Sequence, residues 1–529
     1  MTRNKDSGDN FQSKRSDNGL FILGWMEHIL SHPVQPSDRY GFAEMGLRTR
    51  VYARLLESQS LAITDDFEAK LWPFAPGAKQ MRLAHFGSEP PISAWKTSAR
   101  EESQVKQFQS SMRISAAEQQ AARFESRSND DEGQEKMMVA QEPQIIDERG
   151  IVMSLGRSEV RFAMHFLEML RNVHKSNLPV ELYYYGDDDL PAYMREFLES
   201  SYKGVRTIDL EELKSFDPTL AKLSRQGWAL KPFALLASNF SEVMLADADV
   251  VFLTRPEEFF EVEGYKKTGT LFFHDRDHFR EGASNIIHQF LDEQLGNRGP
   301  SSILSQSSFW KGKGIYEQES GIVVADKRSR AVFSALFFAA WQNTGSIRER
   351  TTYRVFWVFA HPPLLWTGDK ESYWLAFELS GIPYYFVDHY AGGLGNDPWE
   401  GQFCSDHPLH FLPEDSEDSI TQDAMLISKD EGEEGQEASV KKNQKPRRPA
   451  WFNGSILENK GKSGTLFLND TAWAVDSPWI FVEDLERWCL PNSSFSGKSL
   501  GDFSKDTLLT ELIDAARAAD KALLTLDSS

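Results

Sequence analysis

From residue 149 onward the apolar positions follow two alternating rhythms. Short apolar runs stand at 150–156 (GIVMSLG), 180–186 (VELYYYG) and 205–210 (VRTIDL), and read as strands. Between them, 159–173 (EVRFAMHFLEMLRNV) and 192–202 (AYMREFLESSY) repeat at the spacing of an amphipathic helix. Strands alternating with helices of this length predict a parallel, doubly wound sheet. The rhythm continues through a helix at 227–239 and the run EVMLADADVVFL at 242–253. A capped turn at 254–260, strands at 268–275 and 319–326, a largely buried helix at 330–343 and a helix at 368–381 closed by Gly381 follow. Strands at 383–388 and 409–412 end this part.

The flanks carry weaker patterns. Residues 1 to about 40 are polar and irregular, and helical periodicity appears from Tyr40 to about Phe74, with Asp65 or Asp66 as a cap and Pro73 as a stop. Between Lys96 and Gln144, Ser, Gln, Glu, Arg and Ala dominate, and such a segment cannot bury enough surface to offset ordering. An acidic block followed by a basic one fills 413–449, after which 451–479 restores strand-rich structure and an amphipathic helix begins near Leu508. The expected organisation is a stem-like helical region at 1–95, a polar linker at 96–146, the main α/β domain at 147–412, a charged insertion at 413–449, the end of the main domain at 450–495 and a C-terminal helix and tail at 496–529.

Composition narrows the function classes. With 529 residues, 40% of them hydrophobic, the chain can build a large core, while a net charge of −21 argues against nucleic acid or an anionic membrane as a general partner. No stretch approaches the roughly 20 apolar residues needed to span a bilayer. Sequons at Asn239, Asn453, Asn469 and Asn492 hint at a secretory lumen, and Cys404 and Cys489 allow one disulfide or none.

The candidate chemistry centres on Asp247 and Asp249. A run apolar on both sides of the pleat is a buried central strand, where carboxylates are costly unless their charge is compensated. At the carboxyl end of that strand, alternation puts the two on one side, about 7 Å apart, as hard oxygen ligands for a divalent metal. Two other Asp-x-Asp triplets, Asp187/Asp189 and Asp275/Asp277, lack the apolar flanks, and the first reads as turn chemistry before Pro191. Parallel sheets place ligands beyond the carboxyl ends of their strands. There Ser154 and Gly156 can offer a nucleotide backbone amides, or form a plain tight turn. Lys231 can reach a phosphate or remain a solvated helix lysine. Glu319 opens a strand and can face a reacting carbon; Asp369 and Lys370 begin a helix that Asp369 can simply cap. His410 sits in an apolar strand, where a hydrogen-bonded core role competes with a ligand role.

A metal on two carboxylates suits neutralisation of a diphosphate leaving group, as in sugar transfer from a nucleotide-sugar. DADVV also matches the nucleophile strand of haloacid-dehalogenase-type phosphatases. That reading expects a later Gly-Asp with an aspartate four residues on, where Gly368 and Asp369 are followed by Tyr373, and it expects this strand to come first. A degenerate glycan-binding protein is the third reading, opposed by the intact aspartate pair.

Taken in order, GIVMSLGRSEVRFAMHFLEMLRNV, LPVELYYYGD, WALKPFALLASNFSEVMLADADVVFLTRPEEFF, TGTLFFHDRDHF, ESGIVVADK, GDKESYWLAFELSG and WFNGSILENK resemble glycosyltransferase family 71, the fungal α-mannosyltransferases of the α-1,3 type that decorate glycoproteins and cell-wall mannan. The resemblance runs from about Arg149 to Lys460, interrupted by the insertion. It implies an α/β, GT-A-type nucleotide-sugar-binding fold with a central, mostly parallel sheet, GDP-mannose as donor, Mn²⁺ or Mg²⁺ as cofactor, a mannosylated glycan or glycoprotein as acceptor, and retention of configuration. Asp247 and Asp249 would hold the metal and diphosphate, with His410 completing the metal shell as a late histidine does in retaining GT-A enzymes. Glu319 would lie under the sugar, Asp369 and Lys370 beside the acceptor or sugar hydroxyls, and Asp275 and Arg276 near the sugar. Family members are usually single-pass type II proteins of the Golgi with an apolar anchor, so the resemblance implies a luminal site although this sequence shows no such anchor.

Overall fold

The computed structural model describes residues 24–35, 38, 41–58, 63–87, 148–213, 215–217, 227–277, 284–314, 316–348, 368–395, 403–413, 447–461, 464–469, 472–474, 479–482, 487–490, 498–499 and 507–527. The expected linker and most of the expected insertion lie outside the described residues.

The central sheet forms from β1 (Arg149–Ser154), β2 (Val180–Tyr184), β3 (Val205–Asp209), β4 (Glu242–Ala246), β6 (Thr270–His274) and β7 (Gln318–Asp326), in the order β3-β2-β1-β4-β7-β6. The first four run parallel, while β7 is antiparallel to both of its neighbours. This is the central, mostly parallel α/β sheet that was expected. Successive residues point to opposite faces. Ile151, Met153, Leu182 and Met244 therefore join one core, with α4 (Val160–Glu168) and α5 (Ala192–Ser201), and Val152, Tyr183, Val243 and Leu245 join another.

That second core is where the N-terminal helices pack. Helices α1 (Gly41–Glu57), α2 (Asp65–Leu71) and α3 (Ala78–Phe86) share it with α6 (Lys231–Ala237), α7 (Arg330–Gln342) and α8 (Ser372–Ser380). Trp72 stacks on Phe337 at 5.1 Å, so the helical region is part of the main body. The cap of α2 is Thr64, whose hydroxyl accepts from Phe67 N, in place of the expected Asp65 or Asp66. Thr64 holds the extended backbone that a cap needs, whereas both aspartates are already in the first turn, where they favour the helix dipole. Gly381 ends α8 in the left-handed conformation, as read from the sequence.

A second sheet is antiparallel, in the order β15-β12-β8-β10-β11-β5, from β5 (Val251–Phe252), β8 (Gly392–Gly395), β10 (His407–Pro413), β11 (Arg447–Phe452), β12 (Ala472–Ala474) and β15 (Lys498–Ser499). The chain leaves β4 of the first sheet and enters β5 of the second through residues 247–250, so the aspartate pair sits where the two sheets meet. Strand β11 starts at Arg447, which takes the last three residues of the expected insertion into the sheet, and Pro413 pairs with Arg447 across its mouth. The segment 383–388 makes a bridge from Phe386 to Phe272 instead of the expected strand. A third sheet joins β13 (Ile480–Val482), β14 (Arg487–Cys489) and β9 (Cys404–Ser405), closed by the Cys404–Cys489 disulfide. The C-terminal helix α9 (Leu508–Asp527) docks on α4, with Asp520 paired to Arg161 at 2.7 Å and His165 at 2.8 Å. Among the described residues no helix is long and apolar enough to cross a membrane.

Candidate active site

Two charge clusters meet at the carboxyl end of β4. The first contains the aspartate pair. Lys231, the first residue of α6, reaches Asp247 Oδ1 at 2.7 Å and Asp369 Oδ1 at 3.2 Å, with Ser320 Oγ at 3.5 Å. Pro232 at the helix start needs no N–H partner there, so α6 can begin inside the protein. Burial disfavours the ammonium, yet Asp247 and Asp369 raise its pKa, so Lys231 stays charged. Asp249 pairs with Lys460, which lies in the turn beyond β11.

The second cluster is organised by Lys370. Its ammonium sits 2.6 Å from Glu319 Oε2 and 3.0 Å from Asp275 Oδ2. Glu319 Oε1 accepts from Gly321 N at 3.0 Å and Asn453 Nδ2 at 3.2 Å. Burial opposes the charge on Glu319, but Lys370 holds its carboxyl down to about 2. Arg276 donates to Ser405 O at 2.9 Å and lies over the Trp479 ring at 5.0 Å. Asp369 and Lys370 are consecutive, so one turn ahead of α8 sends a carboxylate into one cluster and an ammonium into the other. The Tyr373 hydroxyl donates to Asp369 Oδ2 at 2.7 Å, which fixes that turn; the helix cap expected of Asp369 is absent.

The structure thus gathers Lys231, Asp247, Asp249, Asp275, Arg276, Glu319, Asp369 and Lys370. Two other expectations differ. The Gly156 amide is taken by Glu159 Oε2 at 3.0 Å, and Ser154 ends β1. His410 lies on the Lys370 cluster: its ring stacks on Trp451 at 4.0 Å, and Glu319, Asp275, Lys370 and Arg276 are the charges acting on it. Burial pushes its pKa down to about 3, so the ring is neutral.

A divalent cation that serves nucleotide phosphates needs one or two protein carboxylates, with phosphate and water filling the rest of its shell. Asp247 and Asp249 supply that number. Burial pushes the Asp247 carboxyl up to about 7, Lys231 opposes this, and Asp249 and Asp369 add to it. Two neighbouring carboxylates with hard oxygen atoms, one residue apart at the end of β4, are a donor set that a divalent cation suits, so the residues fit. Among the described residues no three His, Cys, Asp or Glu gather to hold a metal, so His410 does not complete a shell with the aspartates in this structure.

Sequence reading missed Lys460, Asn453, Trp451, Trp479 and the partner role of Tyr373. WFNGSILENK contains three of them; its sequence signals were the family resemblance of the stretch as a whole and the sequon at Asn453, neither of which singled out a site residue. Gly321 explains how close this segment comes: a Cβ there would lie 2.8 Å from Trp451 and 3.0 Å from Asn453 Nδ2.

Comparison with known proteins follows the same stretch of chain. A family profile described as "Mannosyltransferase putative" matches residues 148–412. "Putative alpha-1,3-mannosyltransferase MNN13" of Candida albicans is 26% identical over 321 residues, covering 50% of this chain and 39% of that protein. "Alpha-1,3-mannosyltransferase MNN1" of Saccharomyces cerevisiae is 21% identical over 290 residues, covering 47% and 35%. The chain therefore spans well under half the length of these curated relatives. Among solved structures, core-mannan synthase A from Aspergillus fumigatus in its Mn/GDP form is 12% identical, covering 49% of this chain and 79% of that one, at a TM-score of 0.28. A score that low adds nothing to the fold, which rests on the sheet order above. The family match spans half of the chain, the sheet that carries the aspartate pair included, and the chain belongs to that mannosyltransferase family.

Proposed function

We propose that this chain is a retaining α-mannosyltransferase, α-1,3 in linkage, which moves mannose from GDP-mannose to a mannose hydroxyl of a glycoprotein or cell-wall glycan. The observation that carries the reading is the meeting of the aspartate pair with the Lys370–Glu319–Asp275 cluster at the junction of two sheets. A Mn²⁺ or Mg²⁺ ion held by Asp247 and Asp249 would supply charge neutralisation of the diphosphate as it leaves. Lys231 holds Asp247 and Asp369 in register, buried where water cannot compete. Glu319, kept ionised by Lys370, would stabilise the positive charge that develops on the sugar. Lys370 and Asp275 offer a donor and an acceptor for sugar hydroxyls. Ser154 and Gly156, at the end of β1, would border the nucleotide on this reading.

The family of the chain supports the transfer class. A Golgi-lumen site is part of the same proposal, supported by the Cys404–Cys489 disulfide, since such bonds persist in oxidising compartments. The test is turnover with Mn²⁺ of GDP-mannose beside UDP-galactose, UDP-glucose and UDP-N-acetylglucosamine, with α-methyl-mannoside as acceptor. Release of GDP with an α-linked dimannoside product is the expected result; release of another nucleotide alone would sink the donor assignment.

A further inference from the structure

The two lysines of the metal-side cluster differ in one respect that matters for donor binding. Lys231 is buried and has three partners, Asp247, Asp369 and Ser320, so losing one leaves it held by the others. Lys460 is half open to solvent, at 51% side-chain exposure, and Asp249 is its one ion-pair partner among the described residues. Its backbone is anchored: Leu457 bridges to Phe467, Asn459 N donates to Thr465 Oγ1 at 3.1 Å, and Ser455 N donates to Asp249 O at 2.8 Å. A fixed base with a long, flexible, exposed side chain allows the ammonium to swing while the turn stays in place.

This sets up a competition. The carboxylate that holds Lys460 is one of the two that would take the cation under the transferase reading, on which this inference rests. A dication arriving at Asp249 removes the attraction that keeps the ammonium there and adds repulsion at a few ångströms. The same event brings two phosphates to the same place. We propose that Lys460 is a counter-ion latch, which neutralises Asp249 in the donor-free protein and passes its ammonium to the diphosphate of a nucleotide donor when a divalent cation takes the carboxylate. The latch keeps two adjacent carboxylates from repelling each other before the donor arrives, and it adds a phosphate contact once the donor is bound.

The proposal makes two binding effects move in opposite directions. Calorimetry on the full chain should show Lys460→Gln binding Mn²⁺ alone severalfold more tightly than the parent, because the competitor for Asp249 is gone. In saturating Mn²⁺ the same variant should bind GDP about tenfold more weakly, because the phosphate contact is lost. Lys460→Arg, which keeps the charge, should retain the parent pattern, and thermal melts of all three proteins control for folding. A lysine that merely holds the turn would shift both affinities the same way or neither, and either of those results overturns the latch. If the parent protein itself fails to bind GDP with Mn²⁺, the transferase reading falls and the latch falls with it; if the parent binds and the variant shows no split, the latch alone falls.

Discussion

At the scale of single residues, each of the five carboxylates of the site is held by a lysine. Replacing Asp247 or Asp249 with Asn should lower metal-dependent turnover by about 10²-fold or more, because half of the anionic ligand set for a diphosphate-bound cation is gone. The melting temperature should stay near that of the parent, since Lys231 keeps Asp369 and Lys460 is exposed; full activity in either variant would remove the metal assignment. Lys370 behaves differently. It neutralises two buried carboxylates, Glu319 and Asp275, so Lys370→Met should destabilise the fold by about 3 kcal/mol or more. Glu319→Gln leaves the Lys370–Asp275 pair intact and should cost mainly turnover, so melts and rates measured together separate the two roles. Asp247 and Asp249 were legible in sequence because an apolar run flanks them on both sides. Lys460 was not, because it meets Asp249 across 211 residues and belongs to a different sheet region.

At the scale of elements, β10 and β11 form an antiparallel pair whose open end is Pro413 opposite Arg447. The ends of the charged segment are therefore already as close as a tight turn requires. Replacing residues 414–446 with Asn-Gly should preserve both fold and turnover, because shortening a surface connection changes closure entropy only slightly. Removing Arg448 as well should weaken the protein, since Arg448 donates to Thr254 Oγ1 at 3.0 Å and pairs with Glu258. Thermal melts of the two deletions make the comparison. The same strand region contains a pH-sensitive element. His407 on β10 is buried, its Nε2 meets Leu457 O at 3.0 Å, and burial together with Arg276, Arg487 and Lys460 pushes its pKa down to about 4. A histidine with a depressed folded pKa contributes stability above pH 6.5, and that contribution is lost as pH falls from 6.5 towards 4, a change of about 3 kcal/mol. The Asp520 carboxylate, held below its usual range by Arg161 and His165, loses its contribution only at lower pH. Urea melts between pH 7 and 4 should thus show a falling midpoint, to which buried His410 also contributes, and His407→Gln should make that slope shallower; an unchanged slope would remove His407 as one of its causes.

At the scale of the whole molecule, the central sheet carries the aspartates while the antiparallel sheets supply what faces them. The Cys404–Cys489 disulfide closes a separation of 85 residues, and it ties the strand carrying Ser405, which receives Arg276, to β14. Replacing both cysteines with Ser should lower stability by roughly 4 to 5 kcal/mol by the chain-entropy account. Turnover should suffer beyond what unfolding explains, because Arg276 loses a fixed acceptor; chemical melts and rates at a temperature where both proteins are folded separate these effects.

The sequence by itself determined the alternation of strands and helices, the buried aspartate strand and the N-terminal helices, because each is written in the local spacing of apolar residues. It also determined that a charged segment would interrupt the later part, though the strand claims Arg447–Pro449 that local charge assigned to the insertion. Tertiary structure alone decided what those residues face. Whether His410 reaches the aspartates or the Glu319 cluster, whether Asp369 caps a helix or holds Lys231, and whether the two cysteines join all depend on the pairing of segments far apart in the chain. Local apolar periodicity records which face of an element is buried, and it contains no information about the partner against which that face is buried.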